Sequence, residues 1–113
     1  MTTITMDPEM GEINLQEDLH YPELVDAQKM AKDNPETFEV ATEKYLRKNL
    51  KLGDLVKVCD KEERIWVIIR GFIEDDGDKW MIGEVNNFLM YAGDYNINDL
   101  VVFEYRNIYA TCD

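Results

Sequence analysis

Between residues 64 and 73 the chain reads Arg-Ile-Trp-Val-Ile-Ile-Arg-Gly-Phe-Ile, and this run limits the fold more than any other. Branched and aromatic side chains favour extended backbone, in which successive residues point to opposite faces. Ile65, Val67 and Ile69 then share one face, with Trp66, Ile68 and Phe72 on the other. A strand that is apolar on both sides cannot leave one of them in water, so each needs a cover. The expected arrangement lines a small barrel with one face and sets the other against a helix or a partner.

The neighbouring segments keep the same period of two. Val56 and Val58 alternate with Lys57, and residues 60–63 form a polar turn before the long run. Glu74-Asp75-Asp76-Gly77-Asp78 follows it as a hairpin, because Asp-Gly accepts the positive φ that tight hairpin turns require. Further strands are expected at 80–85 and 100–105, and a last one starts at Ile108 and Tyr109. Residues 88–91 are an apolar connection or a short strand, and Gly93-Asp94 is a turn. Ahead of the strands, Pro22 suits a first helical position, Glu23 complements the helix dipole, and Leu24, Ala27, Gln28 and Ala31 follow at helical spacing. That predicts a helix over 22–32, stopped by Asp33-Asn34-Pro35. A shorter one begins with Thr42 as N-cap and ends before Gly53. The expected class is α+β: a small SH3-like, strongly bent antiparallel β-barrel of four or five strands, preceded by one or two helices.

At 113 residues the chain fits one domain. Residues 1–46 hold eleven acidic side chains against three lysines, whereas most large apolar runs come later. Residues 1–19 are therefore expected to be a flexible acidic segment and 20–113 a single domain. The formal charge of −12 disfavours nucleic acid, whose binding depends on Lys and Arg neutralising phosphates, and disfavours an anionic membrane for the same reason. The densest basic cluster, Arg47-Lys48-Asn49-Leu50-Lys51, reads as a solvated helix end. No apolar run approaches the roughly 20 residues that span a bilayer, and residues 1–10 lack a leader pattern. A cytoplasmic protein is the resulting expectation.

Chemistry has little to work with. His20 has no nucleophile in a recognisable elbow and reads as a surface or helix-flanking residue. Cys59 ends a strand, where a buried thiol is expected, and Cys112 reads as an exposed one; the pair has no CxxC spacing. Glu74 to Asp78 is the best candidate for a divalent cation but lacks the spacing of an EF-hand, so a solvated turn is the reading adopted. Gly71, Gly77 and Gly83 lie in or between strands and form no phosphate loop. The expectation is no enzyme, no catalytic residues, no cofactor and no metal.

Aromatic residues carry more information. Phe72, Trp80, Tyr91, Tyr95 and Tyr105 are expected to form an aromatic binding surface, with Asp75, Asp76 and Asp78 steering a basic partner towards it. Asn86-Asn87 reads as a turn whose side chains are available for hydrogen bonding. The segments Leu52-Gly-Asp-Leu-Val-Lys-Val58, Glu63-Arg-Ile-Trp-Val67 and Gly83-Glu-Val-Asn-Asn87, with residues 27–31, 35–38 and 99–108, resemble a family of short bacterial and phage domains of unknown function. The resemblance implies a fold and no reaction. Since such domains are similar to immunity-type and accessory proteins, it implies binding. Glu63 and Arg64 match an E-R pair of that family, in which Arg64 is expected to bridge to a carboxylate at the barrel rim.

The functional expectation is a non-enzymatic protein-interaction domain with an acidic surface, an inhibitor or immunity or counter-defence protein that occupies a basic site on its partner as a nucleic-acid mimic would. The alternative is a small-ligand or divalent-metal-binding domain using Glu74 to Asp78 or Asn86-Asn87. A homodimer through the second apolar strand face is the third reading.

Overall fold

The computed structural model describes residues 2–14, 17–60, 63–91 and 93–112, the side chain of Cys112 excepted. Among them lie seven strands: β1 (Thr2–Met6), β2 (Leu19–His20), β3 (Leu55–Cys59), β4 (Arg64–Asp75), β5 (Asp78–Val85), β6 (Leu100–Phe103) and β7 (Ile108–Cys112). Two short helices, α1 (Ala27–Asp33) and α2 (Glu43–Asn49), separate β2 from β3, and 3-10 turns occupy Pro8–Met10 and Tyr105–Asn107. The expected thiol exposure of Cys112 and the turn positions 61–62 fall outside the described residues.

The strands form one sheet in the order β2-β6-β5-β4-β3-β7. All pairings are antiparallel except β2 with β6. β4 is the spine. One of its edges pairs with β5 from Val67 to Asp75. The other edge is divided: β3 takes Arg64 to Ile68, and β1 takes Gly71 to Asp75. β2 and β7 stand at opposite ends and do not pair with each other, so the sheet is open. This corrects the expected SH3-like barrel of four or five strands, and the helices are a minor part of a mostly β domain.

The reason lies in how the two apolar faces of β4 are covered. Ile65, Val67 and Ile69 point into the main core with Val56, Val58, Met81, Val85, Val101 and Phe103. At Arg70 the register with β5 slips: Ile69 faces Gly83, but Gly71 faces Ile82. One extra residue inverts the alternation, so Phe72 packs against the same core as Ile69, and not with Trp66 and Ile68 as the unbroken period predicts. Ile73 turns to the opposite face, where Trp80, Ile82, Leu100 and Val102 gather with Met6, Met10, Ile13 and Leu19. The N-terminal segment thus covers the second face around Ile73, whereas Trp66 and Ile68 stay half-buried outside that cluster. The expected helix over 22–32 does not supply that cover.

Close approach by β1 depends on Gly71, where a Cβ would meet Met6 Sδ at 2.5 Å and the Thr5 carbonyl oxygen at 3.0 Å. The attachment is reinforced by Arg70. Its Nη1 lies 3.1 Å from Asp7 Oδ2 and its Nε 2.9 Å from Glu84 Oε1, and the Asp7 N–H donates to the Arg70 carbonyl at 2.7 Å. Hydrogen bonding to Glu84 foremost raises the Arg70 pKa.

Helix α1 begins later than its sequence pattern. Residues 21–26 are not helical because the Val25 N–H donates to the Cys59 carbonyl at 2.8 Å, while Val25 O accepts from Asn107 Nδ2 at 3.2 Å. Asp26 caps the helix instead of Pro22 opening it, its Oδ1 accepting from the Lys29 N–H at 3.0 Å. Helix α2 follows its signals: Thr42 Oγ1 accepts from the Tyr45 N–H at 3.2 Å, and Leu46 enters the core. The hairpin also forms as expected, with positive φ of 49° at Asp76 and 90° at Gly77.

Candidate functional site

The connection after β5 has the most unusual surface. Leu89 is buried in the core, while its neighbours Phe88, Met90 and Tyr91 are 78%, 82% and 64% exposed. Large apolar side chains in succession normally turn inwards, since burying one gains roughly 1.5–3 kcal/mol. Here an extensive set of hydrogen bonds fixes the backbone and keeps them out.

Glu63 is central to that set. Its Oε2 accepts the Met90 N–H at 2.6 Å and its Oε1 accepts the Tyr91 N–H at 3.0 Å, so one carboxylate holds two successive amides. The Glu63 N–H donates in turn to Asp60 Oδ1 at 2.7 Å. Asn87 ties the start of the loop to β4: its Oδ1 accepts the Trp66 N–H at 2.8 Å and its Nδ2 donates to the Arg64 carbonyl at 3.3 Å. Asn96 closes the far side by exchanging two bonds with the Leu89 backbone, at 2.9 and 3.0 Å. Tyr95 packs on the core beside these groups, its ring 5.9 Å from that of His20. Burial, reinforced by the charges of Asp60 and Glu63 and a hydrogen bond to Asp60, pushes its phenol up to about 12.

The E-R pair noted in the sequence therefore acts through its first member. Glu63 is the loop's clamp, whereas the expectation concerned Arg64 at a barrel rim. Asn86-Asn87 is a turn as expected, and Asn87 binds the protein's own strand. What marks Glu63, Asn87 and Asn96 in the sequence is only their polarity beside the apolar Phe88-Leu89-Met90-Tyr91 run. The bonds of Glu63 and Asn87 across 21 to 28 residues, and those of Asn96 across seven, become visible in three dimensions.

The residues expected to form one aromatic surface are dispersed. Tyr91 lies on the exposed loop. Phe72 is partly buried against the main core, with Lys79 Nζ 4.6 Å from its ring centre. Tyr105 is 2% exposed and belongs to the core, so its assignment to a binding surface is corrected. Arg47 stacks on its ring at 4.9 Å, and its hydroxyl has no hydrogen-bond partner among the described residues. The steering aspartates are also remote. Asp75, Asp76 and Asp78 lie at the hairpin end of β4, a strand of 12 residues, whereas Asn87 and Glu63 hold the loop at its beginning. At about 3.3 Å per residue the two ends stand roughly 35 Å apart.

Trp80 borders a separate feature. On the outer face of the sheet Ile73, Trp80 and Val102 belong to the cluster that the N-terminal segment joins, and they also border a groove. The groove has a volume of about 610 Å³, and Tyr21, Leu24, Asp26, Glu104 and Arg106 line it with these three.

Cys59 is buried, and that burial raises its thiol pKa, which leaves little reactive thiolate. Among the described residues no group of three or more His, Cys, Asp or Glu side chains is placed to hold a metal ion, Glu74 to Asp78 included. Among the same residues no helix is long and apolar enough to cross a membrane. The fold and surfaces thus define an open, mostly β domain that presents a fixed apolar loop. No protein-family model, curated protein or solved structure matches the chain.

Proposed function

We propose that this chain is a protein-interaction domain whose contact element is the loop bearing Phe88, Met90 and Tyr91. The observation that carries this reading is the combination of 64–82% exposure of three large apolar side chains with a backbone held by Glu63, Asn87 and Asn96. Exposed apolar side chains on an already ordered backbone lose little conformational entropy on binding, and aromatic anchors of this kind dominate the energetics of interfaces. The carboxylates of Asp60 and Glu63 stand behind the loop, and the chain carries −12 overall. The complementary partner has an apolar cleft with basic residues around it, where opposite charge raises the rate of encounter.

The test compares the full chain with the variant Phe88→Ser/Met90→Ser/Tyr91→Ser. All three positions face solvent, so the variant is expected to keep its urea midpoint. Proteins retained by the native chain at low salt and lost by the variant support the reading. A partner retained equally by both would refute it. Sedimentation of the native chain distinguishes a second copy as occupant, since a dimer that the variant abolishes makes the partner this chain itself.

A further inference from the structure

The groove above Ile73, Trp80 and Val102 is independent of the apolar loop and has its own chemistry. Its volume of about 610 Å³ falls within the range of small-molecule sites, and its floor is apolar. Trp80 and the 70% exposed Tyr21 contribute aromatic rings, which favour cations. Arg106 is the only basic residue among those lining the groove, and its charge is already taken: Nη2 and Nε both lie 2.7 Å from Glu104 Oε2. Asn107 is also committed, with Oδ1 accepting the Glu104 N–H at 2.8 Å and Nδ2 donating to the Val25 carbonyl at 3.2 Å. Asp26 uses Oδ1 for its helix cap, which leaves Oδ2 to a ligand. An anion entering here would meet that carboxylate within the field of a chain of charge −12, whereas a cation gains from both.

We propose that the groove binds a small molecule with an apolar body and one cationic nitrogen, the body lying on Trp80, Ile73 and Val102 and the nitrogen paired with Asp26. The fold has a reason to leave the space open. The N-terminal cover ends at β2, and the following segment is drawn aside by the bond between the Val25 N–H and the Cys59 carbonyl.

Three probes with one body and different heads test this: 4-phenylbutylamine, 4-phenylbutyrate and 4-phenylbutanol. Each is titrated into the full chain, with binding followed by amide chemical shifts. Fluorescence of the Trp66→Phe variant, in which Trp80 is the sole remaining tryptophan of two, gives a second readout. The amine is expected to bind about tenfold more tightly than the carboxylate at low ionic strength, the ratio shrinking as salt screens the charges. Its shifts should centre on Tyr21, Ile73 and Val102. Asp26→Asn keeps a good helix cap and should bring the amine close to the alcohol. The proposal is overturned if the carboxylate binds as well as the amine, if Asp26→Asn leaves the preference intact, or if the shifts fall on residues 88–91.

Discussion

Replacing Glu63 tests the clamp directly. In the native protein its carboxylate accepts the N–H groups of Met90 and Tyr91 at 2.6 and 3.0 Å. Hydrogen bonds to a charged acceptor contribute about 1.5–3 kcal/mol each when shielded, but both amides lie at the surface, where water replaces a lost partner. About 0.5–1 kcal/mol per bond is therefore appropriate, and Glu63→Ala should destabilise the loop by roughly 1–2 kcal/mol. Glu63→Gln keeps one acceptor but turns an amide donor towards a second N–H, so it should recover half the loss at most. Amide hydrogen exchange measured residue by residue is the assay. Protection at Met90 and Tyr91 should fall by about tenfold in Glu63→Ala, since 1.4 kcal/mol corresponds to a factor of ten. The amides of Val67 and Ile69 in the core should change much less. If Met90 and Tyr91 exchange equally fast in the native chain and in Glu63→Ala, the carboxylate does not hold the loop and the account of its rigidity fails.

Other measurements follow from the packing and the titrating groups. The Tyr105 hydroxyl is buried without a partner among the described residues, so Tyr105→Phe should be neutral or stabilising by up to about 1 kcal/mol in urea unfolding; a clear loss would mean the hydroxyl is satisfied. A Cβ at Gly83 would lie 2.8 Å from both Phe103 Cε1 and Val67 Cβ, so Gly83→Ala should cost about 1–3 kcal/mol, and an unchanged midpoint would contradict that contact. Tyr95, raised from 10.0 to about 12 by burial first and acidic neighbours second, holds its proton more tightly folded than unfolded. Its contribution to stability is complete below pH 10 and is lost as pH climbs through 12. Stability should therefore decline across that window, and Tyr95→Phe should remove the latest step of the phenolate absorbance titration. Persistence of that step in the variant would assign it to another tyrosine.

Several elements were legible because they depend on neighbours in sequence. Asp76-Gly77 fixes the hairpin, since few other residues accept its backbone angles. Thr42 fixes the start of α2 by capping it. The interiors of β3 and β5, and of β4 as far as Ile69, follow from alternation and branched side chains. The Phe88-Leu89-Met90-Tyr91 run was visible too, though its exposure was not: an apolar run ordinarily signals burial, and the bonds that reverse this come from Glu63, Asn87 and Asn96. An aromatic side chain in a strand does not reveal its own exposure: Trp80 borders a groove, whereas Tyr105 is a core residue.

The sequence alone determined that both faces of β4 are apolar, that the chain is strongly acidic and that its second half is rich in strands. Only tertiary structure decided what the cover is. The segment leading into β2 has the polar composition of a detached tail, yet its Met6, Met10 and Ile13 join Leu19 of β2 on the outer face of the sheet. Nothing local in that segment marks them as core, because the apolar surface they bury belongs to strands far along the chain. The barrel failed for a related reason. One extra residue at Arg70 reverses the faces of β4 and β1 occupies half of its edge, so closure depends on a register that no short-range pattern encodes.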